Sequence, residues 1–319
     1  MGWKKKVAFG TVLAAGSTLT IHAINKMIHL SAISDDLSSN PTELCYNWKF
    51  GNVYYTKQGE GSPILLIHDS STYSSSCEWK KVIADLSKTN TVYAVDLLGC
   101  GHSDKPNITY TSYLYVQLIS DFIKQVIKEK TDVIATGESG SFVLAACQND
   151  KSIIDKVIMV NPYDMKLLSK SPGKRSKLLT KLINFPVFGT FFYNMCTKET
   201  EIYRLFENDY FYNSTKIDNE LVRTYYENAH ISNPDSKYLF ASIAGCYTTI
   251  NIKHCLKELN NSIFIIVGKE KEEYKEIAEE YADIIPSIEV IELEKAKYLP
   301  QLEIPEEFTE QVNILFSTL

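Results

Sequence analysis

From Tyr46 onward, short continuous apolar runs alternate with stretches of helical periodicity, and this restricts the chain to a mostly parallel sheet with helices on both faces. The runs are Ile64 to Ile67, Thr91 to Val95, Val133 to Thr136, Val157 to Val160, Ile263 to Val267 and Ile288 to Leu293. Each is too short for a buried helix and ends in a loop. Helices are expected over Trp79 to Leu86, Tyr113 to Ile127, Ser141 to Gln148, Tyr274 to Ile284 and Pro305 to Phe316, where proline suits a helix start. Leu44 to Phe50 and Asn52 to Lys57, about Gly51, suit an antiparallel hairpin at the sheet edge.

Residues 163–254 break the alternation, and ninety positions without a convincing strand are too long for a simple connection. They read as a helical lid inserted in a core made of residues 43–162 and 255–319. The lid is dense in aromatics, among them Phe185, Phe188, Phe191, Phe192, Tyr193, Phe206, Tyr210, Phe211, Tyr212, Tyr225 and Tyr226. Most of these are expected to pack, and some to line an apolar cavity.

Residues 1–42 read as an N-terminal anchor or signal-like helix and a linker. Lys4-Lys5-Lys6 precedes an apolar run from Val7 to Ile24, about 27 Å if helical and so close to a bilayer core. Thr11, Ser17, Thr18, Thr20 and His22 interrupt it, and Ser31 to Pro41 has linker composition. The expectation is a membrane-associated protein held by this one segment, with a cytoplasmic protein as the alternative. The charge of -6 disfavours nucleic acid as a partner. Seven dispersed cysteines, with no C-x-x-C pair, imply neither a disulfide framework nor a metal site.

The sharpest chemical signal is the strand-to-helix passage Val133 to Ala145, which contains Gly137-Glu138-Ser139-Gly140-Ser141. Gly-x-Ser-x-small between a strand and a helix is a nucleophile elbow, tight enough that Gly137 and Ser141 must be small, with Ser139 exposed at the helix start.

With this elbow, the chain resembles the α/β-hydrolase fold family, in its lidded branch of epoxide hydrolases, haloalkane dehalogenases and bacterial esterases. Ile64-Leu65-Leu66-Ile67-His68-Asp69 is similar to that family's strand ending in His-Gly. Asp96-Leu97-Leu98-Gly99-Cys100-Gly101-His102-Ser103 resembles its Asp-Leu-x-Gly-x-Gly-x-Ser loop, and Tyr298 to Phe308 the segment after its catalytic histidine. The resemblance implies Ser139 as nucleophile and the N–H groups of Ser70 and Gly140 as oxyanion hole. It also implies a histidine base on the last loop, but Lys295-Ala296-Lys297-Tyr298-Leu299-Pro300 puts Tyr298 there. The acid position counts to Lys271, flanked by Glu270 and Glu272, which leaves Glu270 as the candidate acid; Asp164 is a lesser one.

A tyrosine near pKa 10 accepts the serine proton poorly unless a cation such as Lys297 lowers it. Asp69 beside the oxyanion hole would oppose negative charge there if it pointed inward. His68, His230 and His254 are the substitute bases, each more readily explained as structural. Two readings follow: a serine hydrolase with a degenerate triad acting on an apolar ester, thioester or amide, or an inactive pseudohydrolase that binds a ligand or partner at a membrane. A weaker third is a lyase using Tyr298 or His68. Dehalogenation is disfavoured because Ser139 is not an aspartate. No cofactor is implied, since the Gly99-x-Gly101 loop lacks the third glycine of a dinucleotide site.

Overall fold

The computed structural model describes residues 3–34, 37, 44–232 and 234–317. Eight strands form one sheet in the order β1-β2-β4-β3-β5-β6-β7-β8. They are β1 (Leu44–Trp48), β2 (Gly51–Gln58), β3 (Ser62–Ile67), β4 (Asn90–Val95), β5 (Thr131–Thr136), β6 (Ile154–Val160), β7 (Ser262–Gly268) and β8 (Glu289–Leu293). The first two form the expected edge hairpin, β2 runs antiparallel to β4, and all other neighbours are parallel.

The apolar runs are continuous because both sheet faces are covered. Leu65, Ile67, Val133, Ala135, Val157, Met159, Ile263 and Ile265 enter one core. Their neighbours Ile64, Leu66, Ile134, Ile158, Val160, Phe264 and Ile266 enter another. This is the period-two alternation of a strand, with both sides dry. Helices α2 (Ser112–Phe122) and α3 (Ser139–Asn149) and Tyr274 and Tyr281 of α8 (Glu272–Ile284) cover the first face. Trp79 and the buried side of α9 (Pro305–Ser317) cover the second.

Between β6 and β7 the chain is helical, with α4 (Lys174–Asn184), α5 (Phe188–Cys196), α6 (Asn219–His230) and α7 (Lys237–Ala244) as its longer elements. Its aromatics divide by position. Tyr193, Phe206, Tyr210, Phe211 and Tyr225 are buried, whereas Phe185, Phe188, Phe192 and Tyr212 are exposed.

The N-terminal segment departs from expectation. It is a single helix, α1 (Trp3–Ala32), that runs into the stretch read as linker, of which residues 35, 36 and 38–41 lie outside the described residues. Among the described residues no helix is long and apolar enough to cross a membrane. The far end of α1 is fastened to the helical insertion: Asn25 Nδ2 donates to the Val187 carbonyl at 3.0 Å and accepts through Oδ1 from Asn194 Nδ2 at 3.0 Å. His29 Nδ1 lies 2.8 Å from the His230 carbonyl. The two polar side chains just beyond the apolar run, Asn25 and His29, are thus spent on contacts with the insertion.

Candidate functional site

The carboxyl ends of β3, β5 and β6 and the loop after β8 converge on one buried centre, the usual place for a ligand in a parallel sheet. The turn after β5 is tight at Gly137, whose φ is +58°. Glu138 already has helical dihedrals, and α3 begins at Ser139. A Cβ on Gly137 would overlap the Tyr298 hydroxyl and the Asp69 carboxylate, so position and conformation both require glycine. The small residues two positions either side of this apex are Ala135 and Ser139.

Ser139, expected at the exposed tip, is instead fully buried, and its hydroxyl donates to the His68 carbonyl at 2.7 Å. The physical reason is the left-handed turn two residues earlier, which rolls Ser139 into the first turn of α3. Gly140 N–H, expected as an oxyanion donor, lies 3.3 Å from the Gly137 carbonyl within that turn. Ser141 donates back to the Glu138 carbonyl at 2.7 Å.

Asp69 is the centre of the site. Its Oδ1 accepts from the Ser70 N–H at 2.8 Å and the Glu138 N–H at 3.0 Å. Its Oδ2 accepts from the Tyr298 hydroxyl at 2.8 Å and the Tyr163 hydroxyl at 3.2 Å. The carboxylate therefore points inward, and the repulsion anticipated from sequence is replaced by four donors. Burial raises the Asp69 pKa, opposed by those donors, the Tyr298 hydroxyl foremost. Two more carboxyls stand close by. Glu78 accepts from the Asp69 N–H at 3.3 Å and Glu138 from the Thr248 hydroxyl at 3.0 Å. Burial, with the Asp69 charge next, pushes both up to about 8, so they are protonated at neutral pH.

Tyr298 is stacked on Tyr210, with ring centroids 5.1 Å apart and planes at 20°. Burial and then the Asp69 charge hold its phenol well above 10, which makes it a donor and no base. Lys297, considered as a cation that would lower it, turns away to the Asn208 carbonyl at 2.9 Å. Glu270, the candidate acid, is exposed and caps the Lys295 N–H at 3.0 Å. Asp164 caps a short helix through the Lys166 N–H at 2.7 Å.

The substitute histidines also have other tasks. His68 Nε2 accepts from the Leu97 N–H at 3.0 Å, so Nδ1 carries the proton and donates to the Asp69 carbonyl at 2.7 Å. Burial lowers its pKa, and both ring nitrogens are occupied. His230 is pushed down to about 4 by burial in the insertion, and His254 is exposed on the short helix Lys253–Lys257.

Sequence reasoning missed Glu78, Tyr163 and Asn161. Asn161 ends β6 with φ +43°, and its Nδ2 donates to the carbonyls of Lys297 at 3.1 Å and Tyr298 at 2.9 Å. Its Oδ1 accepts from the Gly268 N–H at 3.2 Å, so it braces the loop that carries Tyr298. The available signal was Asn161-Pro162 directly after a strand, where asparagine tolerates the left-handed region.

This sheet order, with the turn after β5 facing the loop after β8, defines an α/β-hydrolase fold. Residues 64–311 match the family model described as the alpha/beta hydrolase family, and the chain belongs to that family. It is 27% identical over 129 residues to a 2-hydroxy-6-oxo-6-(2'-aminophenyl)hexa-2,4-dienoic acid hydrolase of Metapseudomonas resinovorans, a stretch covering 38% of this chain and 44% of that enzyme. The match thus spans less than half of that relative. A proline iminopeptidase of Heyndrickxia coagulans is 23% identical over 261 residues, 80% of this chain and 90% of the relative. Among solved structures, a serine hydrolase involved in carbazole degradation superposes with a TM-score of 0.70 at 18% identity, over 86% of this chain and 98% of that one. Such a likeness is one of fold.

Proposed function

We propose that this chain is a non-hydrolytic member of its family, a pseudohydrolase that binds a ligand or partner on a scaffold whose reaction centre is filled by its own side chain. The observation that carries this reading is the set of four donors on the Asp69 carboxylate. The Ser70 and Glu138 N–H groups are then the oxyanion donors, and Asp69 Oδ1 sits where the negative charge of a tetrahedral intermediate would develop. Gly137 stands at the nucleophile's place, with no atom able to attack, and Tyr298 at the base's place, with a phenol that cannot accept the proton.

The retained elbow does not argue for an active Ser139. Attack would require its hydroxyl to leave the His68 carbonyl and emerge from full burial, with both nitrogens of His68 already tied to other groups. The relatives' hydrolytic activities support descent from an enzyme, and the filled centre supports loss of the reaction. A cavity of about 490 Å³ offers a ligand space away from the centre, between α1 and the helical insertion, lined by His22, Lys26, His29, Val187, Lys237 and Tyr238 among others. Its volume is that of a small-molecule site.

The test is labelling of the full chain with a fluorophosphonate probe, read by intact mass, with Ser139→Ala as control. The expected result is no adduct on either protein and no turnover of short activated esters. Stoichiometric labelling abolished by Ser139→Ala would overturn the reading and restore the serine hydrolase.

A further inference from the structure

The helical insertion carries an apolar strip on its outside. Leu178 and Leu182 of α4 are 60% and 61% exposed, Phe185 in the connection 57%, and Phe188 and Phe192 of α5 45% and 47%. Their spacing of four, three, three and four residues keeps each helix's members on one face. The Phe185 and Phe188 rings, 6.3 Å apart, join the two parts. The inner side of α4 is satisfied separately: Thr180 and Ile183 are buried, and the Thr180 hydroxyl reaches the Ala241 carbonyl at 3.1 Å. Packing of the insertion does not account for the outer strip, and a contiguous exposed run of large apolar side chains is uncommon on a soluble protein without a partner.

Charge identifies the partner. Residues 165–198 hold seven basic and no acidic side chains, in a chain whose overall charge is -6. Lys174, Arg175, Lys177 and Lys181 on α4 are exposed beside the leucines, and none has an ion-pair partner among the described residues. Helix α1, which packs beside α5 through the Asn25 to Val187 bond, is acid-free over Trp3–Ala32 and exposes Met27 and Leu30. Lysines flanking exposed leucines and phenylalanines match the interface of an anionic bilayer, with rings and leucines at the acyl boundary and ammonium groups among the phosphates. A second copy of this chain would instead bring the same positive charges together.

We propose that the α4–α5 face is a peripheral membrane-docking surface that seats the protein, without crossing the bilayer, on lipid of net negative charge. The test is cosedimentation of the full chain with phosphatidylcholine vesicles, with and without ~30 mol% phosphatidylserine. The expected result is binding to the anionic vesicles, released by about 0.5 M salt as the charges are screened. Lys177→Glu/Lys181→Glu should weaken partition on the order of tenfold or more. Leu182→Asp/Phe188→Asp should do the same, with an unchanged melting temperature because both sites are exposed.

Failure to bind either vesicle would overturn the proposal. So would undiminished binding by both variants, which would assign any membrane contact to α1, and so would a dimer in light scattering that the Leu182→Asp/Phe188→Asp variant dissociates. None of these outcomes depends on whether the chain is labelled by a fluorophosphonate.

Discussion

The Tyr298 hydroxyl donates to Asp69 Oδ2 at 2.8 Å, tying together two residues 229 positions apart in the chain. One lies on the loop after β3 and the other on the loop after β8, so the bond closes the top of the sheet. A buried bond to a charged acceptor contributes more than a neutral one, about 1.5–3 kcal/mol.

Tyr298→Phe should therefore lower the free energy of unfolding by about 2 kcal/mol, and Tyr163→Phe, whose bond is longer at 3.2 Å, by less. Urea unfolding checks this through the midpoint at unchanged slope. Equal losses would mean that Tyr298 has no special place in the network.

Asp69→Ala strands two N–H groups and two hydroxyls in a buried site, and should cost on the order of 3 kcal/mol or more. Asp69→Asn keeps an oxygen for the Ser70 and Glu138 N–H groups, while the two phenols can turn to accept from its amide. Its loss should be clearly smaller in the same unfolding experiment.

Gly137→Ser alone should destabilise strongly, because φ is +58° and the new Cβ meets Tyr298 and Asp69. Combined with Asp69→Gly and Tyr298→His, the obstruction is removed and a hydroxyl, an imidazole and two free N–H groups are supplied. The triple variant should take up a fluorophosphonate where the wild type does not. Ser139→Ala in the wild type should cost about 1 kcal/mol, the value of its bond to the His68 carbonyl.

Stability should fall as pH rises from about 6.5 to 8. Glu78 and Glu138 hold protons up to about 8 when folded but lose them near 4.5 when unfolded. Their contribution is complete below 4.5 and is lost as pH passes through 8, at up to ~1.4 kcal/mol per pH unit for each group. The opposing effects of His68 and His230, whose folded pKa values lie below the usual 6.5, have about half their full slope at pH 6.5 and fade as pH rises further, leaving the two glutamic acids dominant. Melting temperatures across this range should drop for the wild type and flatten for Glu78→Gln/Glu138→Gln.

The sheet was legible because a strand covered on both faces has no polar position to disguise it, as Ile64 to Ile67 and Ile263 to Val267 illustrate. The register of the elbow pattern was not legible. Small residues flank Ser139 at 137 and 141, and they equally flank Gly137 at 135 and 139, so the pattern fits twice. The backbone φ is what distinguishes the two, being positive at Gly137, and a reading keyed to serine centres the pattern on Ser139 instead. The direction of Asp69 was unreadable for a related reason: whether a carboxylate repels or fills a pair of N–H groups depends on a side-chain rotation. The packing of the N-terminal helix was unreadable because composition does not say what a helix meets: just past the apolar run, Asn25 and His29 bond to the helical insertion.

The crowding around Gly137 also bears on how such a chain can change by single substitutions. A serine placed there first finds Tyr298 and Asp69 in its way. Removing Asp69 first leaves its donors without an acceptor, and exchanging Tyr298 first takes one donor from Oδ2. On the proposed reading, each opening move toward a nucleophile at position 137 should lower stability before any activity is gained. Under that reading the geometry acts as a ratchet: a nucleophile at position 137 is to be reached only through several replacements made together.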